Sequence, residues 1–176
     1  MRSRFEQTSS LLDMAESLYN GIQQPLKEEA MSPSTLLYEL KYAKCIYHHH
    51  RGVLGLHTND PKAGLVNFEP CVRTLRVLLD EEAKRSNSLL GVVLNELGNA
   101  YLQLGMIEEA TETLNESVTM LEGLKDTTKA LVTMPQINLA FAYWVGKRLD
   151  EASSLFHQTL QDRFDELGVG DTSSFP

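Results

Sequence analysis

The sequence predicts an all-α protein built from antiparallel helix hairpins, and three observations support this fold class. Apolar residues recur with helical spacing over most of the 176 residues, and runs of β-branched residues alternating with polar ones are absent. Glycine and proline fall at intervals that suit helix ends. A leucine, a small residue, a tyrosine and a later alanine also occur twice at one spacing. The two sets are Leu97, Gly98, Tyr101, Ala110 and Leu139, Ala140, Tyr143, Ala152.

The first predicted helix covers residues 10–24 and precedes the hairpins as a lone element. Ser10 and Asp13 match a capping box, in which side chains bond the free backbone N–H groups of the first helical turn. Pro25 ends the helical pattern, because proline cannot continue the backbone hydrogen bonds. The apolar face of this helix consists of Leu11, Leu12, Ala15, Leu18, Tyr19 and Ile22.

The first hairpin is predicted from a helix over 34–57 and a second helix that starts at Pro61. The intervening TNDPK is a turn signal, and proline suits the first helical position, where its missing N–H would have no helical partner. Pro70 lies inside the second helix, where it should kink the helix or shift its start. This repeat unit is expected to cover residues 34–86.

Two further hairpins are predicted, over residues 87–124 with a turn at Gly105 and over 127–167 with a turn at Gly146. In the last hairpin, Pro135 marks either a kink or the true start of the first helix. The four helices are predicted at 87–104, 107–123, 127–145 and 148–167.

The repeated spacing indicates how the two helices of each hairpin meet. It places a small residue late in the first helix opposite a small residue early in the second, Gly98 with Ala110 and Ala140 with Ala152. Small side chains at such a crossing let two helix backbones approach closely. Leu114, four residues after Ala110, is expected to extend the contact between the two helices by one turn. Phe156, four residues after Ala152, has the corresponding place in the last hairpin.

These residues resemble tetratricopeptide repeats. A degenerate copy lies upstream, with Gly52, Gly55, Gly64 and Phe68 in the corresponding places. Successive copies start 46 and then 42 residues apart (52 to 98, 98 to 140). These spacings are longer than the usual repeat and similar to the kinesin light chain type. The resemblance covers about residues 34–167 and extends to uncharacterised fungal tetratricopeptide proteins. It implies a right-handed α-solenoid whose first helices line a concave groove that binds peptides or other proteins.

The groove side of the predicted helix 87–104 should carry Val92, Asn95, Asn99, Leu102 and Gln103. An asparagine amide donates and accepts at once, so a ladder of asparagines can hold the backbone of an extended peptide. The next repeat adds three more candidates, in which an amide continues the ladder and two aromatic rings provide apolar contacts. They are Asn138, Phe141 and Trp144. The alternatives are solvated surface asparagines and a Trp144 that packs between repeats.

One ligand class is disfavoured by the charges at these places. Tetratricopeptide proteins that bind chaperone tails hold a terminal carboxylate with lysine, arginine and asparagine. Here Asn99 and Asn138 fit that pattern, but the basic residues are missing and Glu96 repels an anion. An acidic tail is therefore not the expected ligand. The corresponding positions hold His49, His50, Val53, Asn95, Glu96, Asn99, Met134 and Asn138.

The composition favours a protein partner over nucleic acid or membrane. The formal charge is −8, of which residues 61–176 contribute −7 with 10 Lys/Arg against 17 Asp/Glu. Such a surface repels phosphates and anionic lipid head groups. The sequence has no signal-peptide pattern, and its longest apolar stretch is about half of a membrane span. A soluble protein of the cytoplasm is expected, with the nucleus as the alternative location.

No enzyme, cofactor or metal motif is found. The chain has no Gly-rich phosphate loop, no nucleophile elbow and no His-Glu-x-x-His sequence. The run His48–His50 lacks a partner at i+4, so we interpret it as a polar helix face with partly buried rings rather than a metal site. Cys45 and Cys71 should be near neighbours as small buried residues, and a redox pair is the less favoured alternative.

The last predicted helix has an apolar face that no later helix covers, whereas solenoids need terminal elements with a polar outer face. We therefore expect either a truncated form of a longer repeat protein or a face covered by a partner or by a second copy. The residues of this apolar face are Leu155, Phe156, Leu160, Phe164 and Leu167.

The tail 168–176 is expected to be disordered, and the whole chain, 1–176, is expected to form one domain.

The sequence thus predicts a non-enzymatic scaffold that binds a protein or peptide in its groove. Two alternatives stay open: a regulatory module that senses a small ligand or peptide, and a structural accessory protein of a specialised metabolic pathway.

Overall fold

The computed structural model describes residues 33–81, 87–124 and 128–167, which form six α-helices and no strand. The all-α class is confirmed, and each helix end falls within about two residues of its predicted place wherever it lies in the described part. The predicted helix 10–24 and the tail 168–176 lie outside the described residues. The helices are α1 (Pro33–His57), α2 (Pro61–Glu81), α3 (Asn87–Gln103), α4 (Ile107–Glu122), α5 (Lys129–Val145) and α6 (Leu149–Leu167).

Both interior prolines lie within continuous helices. α2 begins at Pro61 and continues through Pro70, and α5 begins at Lys129 and continues through Pro135. Of the two predicted alternatives, a shifted helix start is thus excluded at both prolines, and a kink stays a prediction. An interior proline removes one helical hydrogen bond at a cost of about 3 kcal/mol. Packing offsets this cost, since Pro135 itself is buried and Phe68, two residues before Pro70, is fully buried.

The described helices belong to two compact units. Unit 1, within residues 1–86, contains the α1–α2 hairpin, and unit 2, within 87–176, contains the α3–α4 and α5–α6 hairpins. In unit 2, α4 packs against both α3 and α5, and α3 also contacts α5. The two hairpins of unit 2 therefore stack on each other, as helical repeats do.

The same turn closes all three hairpins. Asn59, Gly105 and Lys147 adopt left-handed backbone conformations, with φ of 61°, 74° and 65°. In each turn, the N–H of the following residue donates to the carbonyl five residues back, over 2.8, 2.9 and 2.8 Å. These bonds satisfy carbonyl groups that the end of the first helix leaves unpaired. The pairs are Asp60 to Gly55, Met106 to Tyr101 and Arg148 to Tyr143.

This geometry confirms the register of the degenerate copy. Gly55 replaces the repeat tyrosine at a place where the chain comes very close to itself. A Cβ on Gly55 would lie 3.0 Å from the backbone N of Gly64 and 3.1 Å from the carbonyl O of Asp60. A larger side chain at residue 55 would therefore push the start of α2 away from α1.

Close helix contact in each of the first two hairpins depends on a glycine that faces a bulky side chain. A Cβ on Gly98 would lie 2.5 Å from Cγ of Leu114, and a Cβ on Gly52 would lie 2.3 Å from Cε1 of Phe68. The repeat spacing predicts that Gly98 faces Ala110, but the nearest side chain is that of Leu114, one turn further along α4. Ala110 is itself fully buried. At each of these helix crossings, a small residue of the first helix therefore packs against a large residue of the second.

A second contact joins the helices near the other end of each of these hairpins. The Ser117 hydroxyl donates to the carbonyl O of Gly91 over 2.7 Å, and the Cys71 thiol donates to the carbonyl O of Cys45 over 3.3 Å. In both pairs the two residues are 26 positions apart, and Gly91 and Ser117 lie 46 positions after Cys45 and Cys71, the same spacing as between the turns at Asn59 and Gly105. The buried Ser117 hydroxyl and the buried Cys71 thiol thus each join the second helix of a hairpin to the backbone of the first.

Replacing Gly98 by alanine should destabilise unit 2 by about 1–2 kcal/mol. The new methyl group overlaps the fully buried Leu114 side chain, and the overpacking cost exceeds the gain in helix propensity of about 1 kcal/mol. Chemical denaturation followed by circular dichroism measures the change. Gly123→Ala is the matched control, because its Cβ would meet only ordinary contacts of 3.4 Å or more. A double variant with Leu114→Val should recover part of the loss, and an unchanged midpoint in Gly98→Ala would contradict the close approach.

Candidate functional site

The first helices of the two hairpins in unit 2 lie side by side. Asn138 of α5 donates from Nδ2 to Oδ1 of Asn95 on α3, over 2.9 Å. This hydrogen bond brings together two of the predicted groove residues from different repeats. It also fixes which sides of α3 and α5 adjoin each other.

Both the oxygen and the nitrogen of the Asn95 amide make hydrogen bonds within the protein. Its Oδ1 accepts from Asn138, its Nδ2 donates to Oε1 of Glu96 over 3.2 Å, and only 7% of the residue is exposed. A buried amide with both groups paired stabilises the contact between helices. Two members of the predicted ladder, Asn95 and Asn138, thus link the two repeats, and the binding of a peptide by the ladder stays a prediction.

The other predicted residues of α3 differ in exposure. Leu102 is half-buried and packs against a hydrophobic cluster of α4 and α5 residues, so it supports the face from beneath. Asn99 is half-buried, and Gln103 is exposed at the end of the helix. The cluster under Leu102 consists of Ala110, Leu114, Val118, Leu139 and Ala142.

A row of large apolar side chains is exposed along α5. Phe141 and Trp144, both predicted groove residues, are 45% and 55% exposed, and their ring centroids are 5.5 Å apart. Met134 and Ile137 continue the row and are 57% and 38% exposed. The spacing i, i+3, i+7, i+10 places all four on one helix face. We call Met134, Ile137, Phe141 and Trp144 the α5 ridge.

The α5 ridge corresponds by position to the predicted groove residues of α3. Subtracting the repeat spacing of 42 residues from the four ridge positions gives Val92, Asn95, Asn99 and Leu102. We call these eight residues together the first-helix face. Its α3 half carries two amides, and its α5 half is apolar.

The first-helix face is almost uncharged. α3 contains one charged residue, Glu96, and α5 contains one, Lys129 in its first turn. Residues 130–146 include no Asp, Glu, Lys or Arg. The remainder of unit 2 is acidic, and residues 87–167 hold 5 Lys/Arg against 12 Asp/Glu. An apolar, uncharged strip on an acidic unit is a surface suited to bind another protein.

Ile137 was not predicted for the groove, and Met134 was placed there only as the counterpart of a carboxylate-binding position, not as an apolar contact. The signal that identifies them is the long run without charge together with the position of each residue on the helix face. That signal is ambiguous in sequence alone, because a fully buried helix has the same composition. Only the packing of α5 shows which apolar residues face inward.

The three histidines of α1 have three different environments. Nδ1 of His48 lies 3.0 Å from Oδ1 of Asn67, and Nδ1 of His50 lies 2.8 Å from the carbonyl O of Ile46. His49 is partly buried, with its ring centroid 6.3 Å from that of Phe68. Burial, with a smaller effect from His50, lowers the pKa of His49 to about 4. The interpretation as a polar face with a partly buried ring is confirmed.

The two cysteines are near neighbours, as predicted. Both are free thiols that are 1% exposed, and the side-chain hydrogen bond between them together with burial raises the pKa of Cys71. A thiol that stays protonated is a poor nucleophile. The structure thus supports small buried residues that pack the hairpin.

Neither metal binding nor membrane insertion is indicated by the part of the chain that the structure describes. Within it, no three His, Cys, Asp or Glu side chains come together as a metal site requires. Of the described helices, none has the length and apolar character needed to cross a bilayer.

Comparison with known proteins confirms the sequence resemblance to kinesin light chain-type repeats. No protein-family profile matches the chain. Protein KINESIN LIGHT CHAIN-RELATED 3 of Arabidopsis thaliana is 33% identical over 102 residues, which are 58% of this chain and 15% of that protein. The match thus spans less than a sixth of that relative's length.

Two solved structures are also similar to the chain. They are those of a kinesin light chain-like protein of Podospora anserina with nearly identical TPR-like repeats and of its single-substitution variant. Both are 19% identical to this chain and cover 94% of it and 95% of their own chains, with TM-scores of 0.44 and 0.45.

The low pKa of His49 predicts that the protein loses stability in mild acid. The unfolded chain binds a proton at His49 below about pH 6.5, whereas the folded chain does so only near pH 4, so stability falls as the pH drops through this window. The expected loss is about 1–2 kcal/mol after allowance for partial exposure. Denaturant midpoints measured between pH 7 and pH 4.5 test it.

The His49→Leu variant should show a flatter profile over that range than the wild type. His157→Gln removes an exposed histidine whose Nδ1 lies 2.9 Å from a backbone carbonyl O, and it should leave the profile unchanged. Parallel profiles for wild type and His49→Leu would show that His49 protonates freely in the folded state.

Proposed function

We propose that this chain, which is similar to kinesin light chain-type tetratricopeptide proteins, is a non-enzymatic scaffold that binds a protein or peptide on its first-helix face. The observation that carries the proposal is the α5 ridge, on which four large apolar side chains remain exposed. A cytoplasmic location stays a prediction.

The energetics of the ridge favour a bound partner. Covering apolar surface gains about 25 cal/mol per Å², and aromatic residues dominate the binding energy of most protein interfaces. Phe141 and Trp144 present their rings 5.5 Å apart on a helix that is anchored on α4 and α6. Little side-chain or backbone ordering would be required on this side of the interface.

The predicted site residues have different roles in this proposal. Phe141 and Trp144 contact the partner, and Asn99 and Gln103 form hydrogen bonds at the edge of the interface. Asn95 and Asn138 hold α3 beside α5, and Leu102 supports the face from the core. An interface of this kind has an apolar centre and a polar rim.

A second surface is proposed for self-association, on the outer side of α6. In α4, Leu114 and Val118 are buried in a cluster with residues of α5. The corresponding residues of α6, 42 positions later, are Phe156 and Leu160, which are 38% and 53% exposed. This side of α6 thus has the side chains that receive a further helix in the preceding repeat, and a second copy of the chain could supply one.

The Phe141→Ala variant should weaken ligand binding about tenfold or more, because it removes an aromatic contact from the centre of the interface. Ligands selected from displayed random peptide libraries provide the probe, and fluorescence of Trp144, the one tryptophan of the sequence, provides the readout. Val66→Ala is the control, since Val66 is 71% exposed on α2 and lies outside the face. Equal affinities of the wild type, Phe141→Ala and Val66→Ala for the selected peptides would contradict binding at the α5 ridge.

Self-association predicts that the apparent mass rises with protein concentration in size-exclusion chromatography with light scattering. Leu160→Glu should abolish the rise, because it places a charge in the apolar contact. Val77→Glu changes an equally exposed residue of α2 and should have no effect. A wild-type protein that stays monomeric at high concentration would contradict this proposal.

A further inference from the structure

We infer that unit 2 contains a second binding site, a cavity between α4, α5 and α6 that binds a primary ammonium group on an aliphatic chain. The cavity has a volume of about 230 Å³, and none of its lining residues belongs to the first-helix face, so the inference goes beyond the proposed function. Its apolar walls are Leu121, Leu124 and Val132, and its acceptor side chains are Glu122 of α4, Gln136 of α5 and Asp162 of α6.

Gln136 lines this cavity with an oxygen that has no partner. The residue is 7% exposed, and its Nε2 donates to Oε1 of Glu122 over 2.9 Å. Its own Oε1 accepts no hydrogen bond from the part of the chain that the structure describes. Among those residues, no side-chain oxygen or nitrogen is both fully covered and unpaired. The Oε1 of Gln136 therefore opens into the cavity.

The preceding repeat shows that helix packing does not require an amide at this place. Subtracting the repeat spacing of 42 residues from Gln136 gives Leu94, which is 1% exposed. A nearly buried acceptor without a donor lowers stability, whereas a leucine has no such cost. The glutamine at this core position thus points to a ligand that supplies the missing donor.

The other acceptors of the cavity carry negative charge. Glu122 has one carboxylate oxygen left after its bond from Gln136. Asp162 is half-buried and makes no hydrogen bond or ion pair with any described residue. Acceptors thus come from three helices, and a primary ammonium has three N–H donors. Anionic ligands would be repelled by the two carboxylates.

The size and the walls of the cavity indicate an aliphatic chain behind the ammonium. An engineered protein cavity of about 150 Å³ holds benzene, and pockets for drug-sized ligands start at about 300 Å³. A cavity of about 230 Å³ therefore suits a group the size of one lysine side chain, whose methylene groups would pack on Leu121, Leu124 and Val132.

Lys129 is the one cationic group of the lining and opposes the ligand. Its side chain is exposed and forms no ion pair with a described residue, so its ammonium can turn into solvent. Two carboxylates against one ammonium still leave the cavity with a net negative charge. Removing the charge of Lys129 should therefore strengthen the binding of a cation.

Chemical-shift titration of the isotope-labelled full-length chain with n-butylammonium tests the inference. We expect saturable shifts of the Gln136 side-chain amide. n-Butyltrimethylammonium has the same charge but no N–H donor, and it should bind about tenfold more weakly or worse, because hydrogen bonds to charged groups are strong. Equal Kd values for the two cations, or no saturable shift with n-butylammonium, would overturn the inference.

Variants locate the binding in the cavity. Gln136→Leu introduces the residue of the preceding repeat and Asp162→Asn keeps the side-chain shape, and each should raise the Kd about tenfold. Asp150→Asn changes an exposed carboxylate near the start of α6, outside the cavity, and should leave the Kd unchanged. Lys129→Met should lower it. An unchanged Kd in both Gln136→Leu and Asp162→Asn, or a higher Kd in Lys129→Met, would contradict the site.

Two sources can carry the ammonium group, a free alkylamine and the lysine side chain of a partner protein. A glycine–lysine–glycine peptide with acetylated and amidated ends distinguishes them. Binding as tight as that of n-butylammonium would identify a lysine side chain, and binding tenfold weaker would identify a free amine. The same peptide with norleucine in place of lysine lacks the ammonium. If it bound as tightly as n-butylammonium, the ammonium would not be the recognised group and the inference would fail.

Discussion

Close approach of two helix backbones is the constraint on which the other features of this protein depend. In the first two hairpins, a glycine late in the first helix lies directly against a large side chain of the second, Gly52 against Phe68 and Gly98 against Leu114. The large side chain occupies the space that a side chain on the glycine would need. This contact also fixes the rotation of both helices about their axes, so that equivalent positions lie on the same side of the first helix in each repeat.

That rotation explains why one helix face can differ so much between neighbouring repeats. The burial of these positions depends on what lies alongside the helix, since Asn95 is 7% exposed beside α5 and Ile137 is 38% exposed. Asn95 and Ile137 occupy equivalent positions, yet one links two helices through its amide and the other is an exposed apolar residue. The repeat provides a constant frame, and the residues of its exposed face can give it a binding function.

The upstream copy shows how far the repeat tolerates substitution. The turn tyrosine is replaced by Gly55, and the contact made by Ser117 is made by Cys71, yet the left-handed turn residue and the hydrogen bond across the turn are the same. The backbone contacts are retained while the side chains change. A degenerate sequence copy can therefore still be a complete structural repeat, because the turn and the close crossing define it.

The sequence by itself determined the helices, their pairing and the spacing of the repeats, since helical periodicity, glycine and proline positions, and a recurring set of small and large residues are local signals. It also predicted Phe141 and Trp144 for the groove, and both are exposed. Tertiary structure alone decided the partners of Asn95, the nearest neighbour of Gly98 and the exposure of Met134 and Ile137. The physical reason is that these properties depend on which helix lies alongside and at what rotation, and an uncharged helix such as α5 has the same sequence pattern whether its apolar residues are covered or not.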